Sequence, residues 1–288
     1  LSGANTYTGG TAINGGVLGV SGNGNLGAAG SALALGSGTL RTTAGLTMAR
    51  ATTLGAGGGT FEVAAGTLTQ NSALTGTGAF TKAGAGSLVL TANNSHTGGT
   101  AIEAGSLQLG SGGATGSLIG DVVNNGALVV NRSGTLTLDG VISGSGALTK
   151  TGPGTLILAG ANSYSGPTEN DTGSRLVATN SSALGTSDVL NSGTLELALA
   201  TDATVANRLE GSGSLVKTGT GAATLTGGVE AGDVEVQAGT LAFAQSGAFT
   251  VDTSYLTKSG ATTLLSGDAE LAVGGTFTQA AGSTLEVA

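Results

Sequence analysis

Residues 148–168 read LTKTGPGTLILAGANSYSGPT, and residues 80–100 read FTKAGAGSLVLTANNSHTGGT. Ten of the 21 aligned positions are identical, 68 residues apart. Each stretch holds a short alternating run. Leu88 and Leu90 fall on one face of an extended chain, and so do Leu156 and Leu158. The same spacing recurs at Leu107 and Leu109, and at Leu195 and Leu197. Gly and Asn punctuate the runs, supplying the crowded backbone conformations that tight corners need. Strands of three to five residues are too short to stand alone, and they gain stability only when stacked.

The four lysines set the spacing. Lys82, Lys150, Lys217 and Lys258 are all the lysines in the chain, and each stands in one frame: FTKAG, LTKTG, LVKTG, LTKSG. A second ruler is an Asn-x-aromatic element in ANTYTGGT (4–11), NNSHTGGT (93–100) and ANSYSGPT (161–168). It marks Asn5 with Tyr7, Asn94 with His96, and Asn162 with Tyr164. Lysine steps of 68, 67 and 41, and ring steps of 89 and 68, reduce to turns of about 22 residues. The fold expected is all-β: a right-handed parallel β-helix of about 13 such turns. On this ruler the lysines lie at whole turns on one face. They read as solvated side chains that cover apolar surface with their stems and discourage sideways strand pairing. Residues 196–210 are the best helical candidate, although Thr-rich strands explain them equally well.

Composition supports this reading. Of 288 residues 56 are Gly and only two are Pro, without a Gly-X-Y period, which excludes collagen. Hydrophobic residues make up 39% and charged residues 9%, which excludes a disordered polyelectrolyte. The net charge of −8 argues against a nucleic-acid partner and against a basic membrane patch. There is no Cys, so disulfides play no part. No apolar run reaches the roughly 18 residues of a spanning helix, so direct membrane insertion is not expected. Leu1 falls inside a repeat and no signal peptide precedes it, which reads as a segment of a longer chain.

The full pattern, Gly-x-Gly-x-Leu-Thr-Lys-x-Gly-x-Gly-Thr-Leu-x-Leu-x-Gly-x-Asn-x-Tyr-x-Gly-x-Thr, resembles the passenger-associated repeat of bacterial autotransporters. Residues 144–168 match it almost throughout, and residues 76–100 match with His96 in place of the Tyr. Residues 1–18 carry its second half and residues 211–226 its first. The resemblance implies a Gram-negative protein of the cell surface or secreted fraction, exported through its own outer-membrane β-barrel translocator. Residues 274–288, GGTFTQAAGSTLEVA, are similar to the end of such passengers, where the family keeps a folding-helper region. The expected division is therefore 1–245 for passenger repeats and 246–288 for C-terminal turns that assist folding. One repeat departs from the pattern. After Thr168 the chain runs ENDTGSRLVATN, which sets Asn170 against Ile13 and Ile102. Arg175 then meets a core Leu position unless one residue has been inserted and a bulge absorbs it.

Chemistry is sparse. His96 is the only His, and it occupies a position where a ring packs, so neither a catalytic triad nor a His-based metal site is indicated. Asp121 lies outside the nonapeptide calcium pattern, and the Gly-rich strings lack the helix and Lys-Ser/Thr pair of a phosphate loop. Seventeen acids are spread thinly, and Asp121 with Asp139 make at most one pair. No enzyme, cofactor, metal or catalytic residue is expected within the segment. The expected function is a non-catalytic stalk that supports export and folding. The alternatives are an adhesin or self-associating biofilm factor that engages a host surface or its own copies, and a spacer behind a subtilisin-like protease.

Overall fold

The computed structural model describes residues 1–244 and 247–288. It is built from two units, Leu1–Ala147 and Leu148–Ala288. No α-helix occurs among the described residues, and the paired strands are parallel. Each unit is a parallel β-solenoid. The expected boundary between 245 and 246 falls outside the described residues.

In the first unit, as far as Ser87–Leu90, the chain visits three sheets in rotation. One holds Thr11–Ile13, Leu33–Leu35, Thr52–Leu54 and Leu74–Gly76. The next runs from Val17–Val20 through Phe80–Ala83 to Ile142–Ser143, and the third includes Leu46–Met48, Ser87–Leu90 and Ala127–Asn131. Short strands suit this path, because each face ends after three to five residues at a corner. Alternation along each strand puts one set of side chains inside. Leu68, Leu88, Leu107 and Leu128 stack in register and are fully buried. Burying a Leu this way is worth about 2 kcal/mol against leaving it in water.

The second unit repeats the plan. Leu156, Leu176, Leu195 and Leu215 form one internal stack. Residues 196–210 are strands, Thr194–Ala198, Ala203–Val205 and Leu209–Glu210, not a helix. Coil length varies. Ala222 pairs with Thr240, Thr262 with Thr284 and, in the first unit, Asn93 with Ser117, so a coil runs from 18 to 24 residues. The step from Lys150 to Lys217 is consequently not a whole number of coils. From Lys150 the register passes to Asn170 and Asn191, then to the coil of Leu209–Glu210. Lys217 lies one face further on, in the sheet of Leu197 and Val236.

The repeat that departs from the pattern is absorbed without distortion. Asn170 does take the inward position, 1% exposed, and Thr168–Asn170 keeps its register. The extra residue sits in the following turn, where Ser174 Oγ donates to Asn170 Oδ1 and to the Asp171 carbonyl, each at 2.6 Å. Arg175 then pairs with Thr155 at an outward position, and Leu176 takes the core site. The Arg175 guanidinium bonds Glu196 on the next coil.

Candidate functional site

The repeated frame Thr-Lys-x-Gly builds a corner. Lys82, Lys150 and Lys217 are fully buried, which corrects their reading as solvated side chains. The glycine two residues on, Gly84, Gly152 or Gly219, has φ of 78°, 75° or 76°, and this left-handed turn swings its carbonyl toward the ammonium. Lys82 Nζ donates to the carbonyls of Ala83 at 2.9 Å, Gly84 at 2.7 Å and Ala104 at 3.0 Å. Lys217 Nζ donates to Thr218 at 2.6 Å, Gly219 at 2.9 Å and Ala238 at 3.3 Å. Lys150 Nζ stays within its own corner, on Thr151 and Gly152, both at 2.7 Å. Three N–H donors thus meet two or three fixed carbonyls, the condition under which a buried ammonium is tolerated. Burial still pulls the Lys82 and Lys150 pKa values down to about 8, and Lys217 shifts the same way. Asp171 beside Lys150 and Asp202 beside Lys217 oppose the shift.

Lys258 differs because of parity. Val236 pairs with Thr257, so Thr257 points inward and Lys258 outward. Lys258 is half-exposed and bonds Glu235, which holds that carboxyl below its ordinary value.

The second element is a tether across a corner. Tyr7 Oη lies 2.8 Å from Thr11 Oγ1, His96 Nε2 lies 3.0 Å from Thr100 Oγ1, and Tyr164 Oη lies 2.6 Å from Thr168 Oγ1. His96 therefore stands in for the phenol, ring to hydroxyl, four residues apart. His96 and Tyr164 are fully buried, while Tyr7 on the first coil is 40% exposed. Burial lowers the His96 pKa against a smaller pull from the Leu74 backbone, and it pushes the Tyr164 phenol up to about 12. The lowered pKa favours the neutral ring, which packs edge-on against Phe80. Replacing Tyr164 by Phe should cost about 1 kcal/mol, the worth of one buried hydroxyl bond, measurable as a lower urea midpoint. An unchanged midpoint would show the tether to be idle.

The asparagine ahead of each ring bonds the neighbouring coil. Asn5 Nδ2 donates to the Asn25 carbonyl at 2.8 Å, Asn94 Nδ2 to Ser117 at 2.8 Å and Asn162 Nδ2 to Ala183 at 2.7 Å. The lysine corner and the Asn-x-ring tether occur together, both buried, in the copies of Lys82 with His96 and Lys150 with Tyr164; the first copy has only the tether, with Tyr7 part-exposed, and the Lys217 copy only the corner. The Thr partners Thr11, Thr100 and Thr168 were present in every quoted copy of the sequence but were not singled out. Two other anchors left no repeat signal. The buried guanidinium of Arg50 binds the carbonyls of Asn23, Gly27, Ala28 and Ser31, and Arg132 binds Ala114 and Gly116.

No group of three His, Asp or Glu positioned for a metal occurs among the described residues. The surface of the second unit carries an open groove of about 400 Å³ lined by Thr194, Ser214, Asp233, Glu235, Ser254 and Leu256. It holds carboxylates and hydroxyls but no nucleophile set against a base.

The model of the family described as passenger-associated-transport-repeat matches residues 1–20, 80–109, 148–169 and 215–243. These segments hold the lysine corners of Lys82, Lys150 and Lys217 and all three Asn-x-ring tethers. This chain carries the passenger repeats of an autotransporter. Over 140 residues the passenger is 44% identical to "Adhesin BmaC autotransporter" of Brucella suis biovar 1 (strain 1330). The alignment covers 49% of this chain and 4% of that protein, so the passenger corresponds to a small part of its relative. No solved structure matches it. The passenger is a cell-surface or secreted component of a Gram-negative bacterium.

Proposed function

We propose that the passenger is a non-catalytic stalk whose C-terminal coils seed its folding outside the cell, after export through an outer-membrane barrel. The observation that carries this reading is the aromatic packing of the last coils, where four rings join in one cluster, against three, Phe61, Phe80 and His96, in the first unit. Phe243 and Phe249 lie 4.3 Å apart between ring centroids, Phe243 and Tyr255 6.3 Å, and Tyr255 stacks on Phe277 at 5.5 Å. Two of these residues lie on Gly247–Thr257, which at 11 residues pairs with the seven-residue Glu230–Val236, where strands elsewhere run two to five. Long parallel pairing and large buried rings give these coils more cohesion than Leu-lined ones. Deleting 230–288 should lower the stability of the remaining coils and slow their refolding. Equal denaturation midpoints and refolding rates with and without those residues would sink the reading.

A second reading is favoured by the relative's name: the coil surface itself adheres. The test is binding of the purified passenger to host cells and to itself, by sedimentation at rising concentration. A monomeric, non-adherent passenger rejects it.

A further inference from the structure

The donor nitrogens of the repeat Asn and Lys side chains reach in one direction. Within the family-matched segments, the Nδ2 or Nζ atoms of Asn5, Lys82, Asn94, Asn162 and Lys217 donate to another coil 20 to 23 residues ahead, on the C-terminal side, while Asn94 Oδ1 also accepts from the Leu74 N–H on the coil before it. The acceptors are backbone carbonyls throughout: Asn25, Ala104, Ser117, Ala183 and Ala238. The amide and guanidinium donors that reach backward to carbonyls, Asn25, Arg50, Gln70, Arg132, Asn180 and Asn207, lie outside the matched segments, where Asn124, Asn170 and Asn191 also donate forward; within the segments only the hydroxyls of Thr91 and Thr220 donate to a carbonyl of the coil behind. We infer that the forward-reaching Asn and Lys side chains are register keys, which position each coil as it is laid on the coil C-terminal to it. This rests on the reading that the C-terminal coils fold first.

The physical case lies in what each partner brings. A coil already in place offers carbonyls held rigidly by its own corners. The arriving segment brings a flexible donor whose bond forms only in the correct register. A slip of one residue turns the key outward along with the rest of its strand, and it leaves the core site to a neighbour of the wrong kind. Because the acceptor is backbone, the key works on any preceding coil whatever its side chains. A repeat that carries its own key can therefore be added or lost without matching changes next door. Asn162 is the clearest case: it is buried, it reaches forward, and Tyr164 anchors the same turn to Thr168.

Pulse-labelling hydrogen exchange during refolding of the whole chain tests this residue by residue. In the unmodified chain protection should appear first in residues 230–288. In Asn162→Ala, coils from residue 183 onward should gain protection at the unmodified rate, while coils from residue 162 back toward Leu1 lag about fivefold or more. Lys82→Met should give the same split around residue 104. If protection in the unmodified chain begins elsewhere, the folding-seed reading fails, and the direction inferred here fails with it. If the order is C-terminal first but Asn162→Ala and Lys82→Met only hasten unfolding, the seed stands and the keys are overturned, leaving ordinary structural bonds.

Discussion

Phe249→Ala is expected to destabilise the passenger by about 3–5 kcal/mol, the range for emptying a fully packed Phe site. Phe249 is fully buried and tilts against Phe243 at 4.3 Å. Its neighbours cannot close over the hole, because their backbones are pinned by ladders on both sides: Glu230–Val236 on one and Ala269–Val273 on the other. In a solenoid each coil is stabilised mainly by its neighbours, so a local loss of this size can exceed the coupling across one interface. The denaturation curve should then split. Far-ultraviolet dichroism would report all coils, while the fluorescence of Tyr255, isolated by replacing Tyr7 and Tyr164 with Phe in both chains, would report the C-terminal ones and change at lower urea. Phe277, 41% exposed and stacked on Tyr255, supplies the control, since Phe277→Ala should cost only about 1 kcal/mol. Equal losses for the two substitutions would show that the aromatic cluster adds no special cohesion, and the seed reading would lose its support.

How much of this was legible in sequence depends on which physical rule governs each residue. Alternation is local, so Leu88 with Leu90 and Leu156 with Leu158 were visible as inward pairs before any coil was known. The corners were visible through Gly for the same reason. The lysines were misread because a general rule, charges outside, was set against a local arrangement that no composition reveals. Only the corner glycine at positive φ brings carbonyls to the ammonium, and the sequence shows the glycine without showing where its carbonyl points. Repeat spacing gave an average turn but not individual coils. A coil of 18 residues and another of 22 leave the mean nearly untouched while moving Lys217 one face away from Lys150 and turning Lys258 outward. Asn170 shows the opposite case. Alignment put it in the core and the structure keeps it there, with Nδ2 donating to Asn191 Oδ1 at 2.7 Å, so a polar pair replaces the aliphatic one. Arg50 and Arg132 were illegible, since each binds carbonyls of an irregular loop that has no counterpart in the other repeats.

The buried lysines predict an unusual response to alkali. Lys82 and Lys150 have pKa values lowered to about 8, against about 10.4 for a free lysine side chain. Between those values the unfolded chain holds protons that the folded chain has released. Unfolding therefore takes up protons, and stability rises with pH across that window. The contribution is complete above about pH 10.4 and is lost as pH falls through about 8. The gain should be on the order of 1–2 kcal/mol per lysine, less than the full shift implies, because the ammonium lies at a coil corner near water. Two tyrosines set the upper limit. Burial raises the phenols of Tyr164 and Tyr255, so their contribution is present below about pH 10 and lost as the pH rises further. Stability should therefore climb from pH 7, peak near pH 10 and then fall, whereas a coil with solvated lysines would show no such climb. Lys150→Met separates the terms. It should cost about 1 kcal/mol or more at pH 7, because the carbonyls of Thr151 and Gly152 lose their partner. It should also make the climb between pH 7 and 10 shallower. Urea midpoints at each pH, for the passenger and for Lys150→Met, measure both. A Lys150→Met variant with the same slope as the unmodified chain would show that the buried ammonium is not the group being titrated.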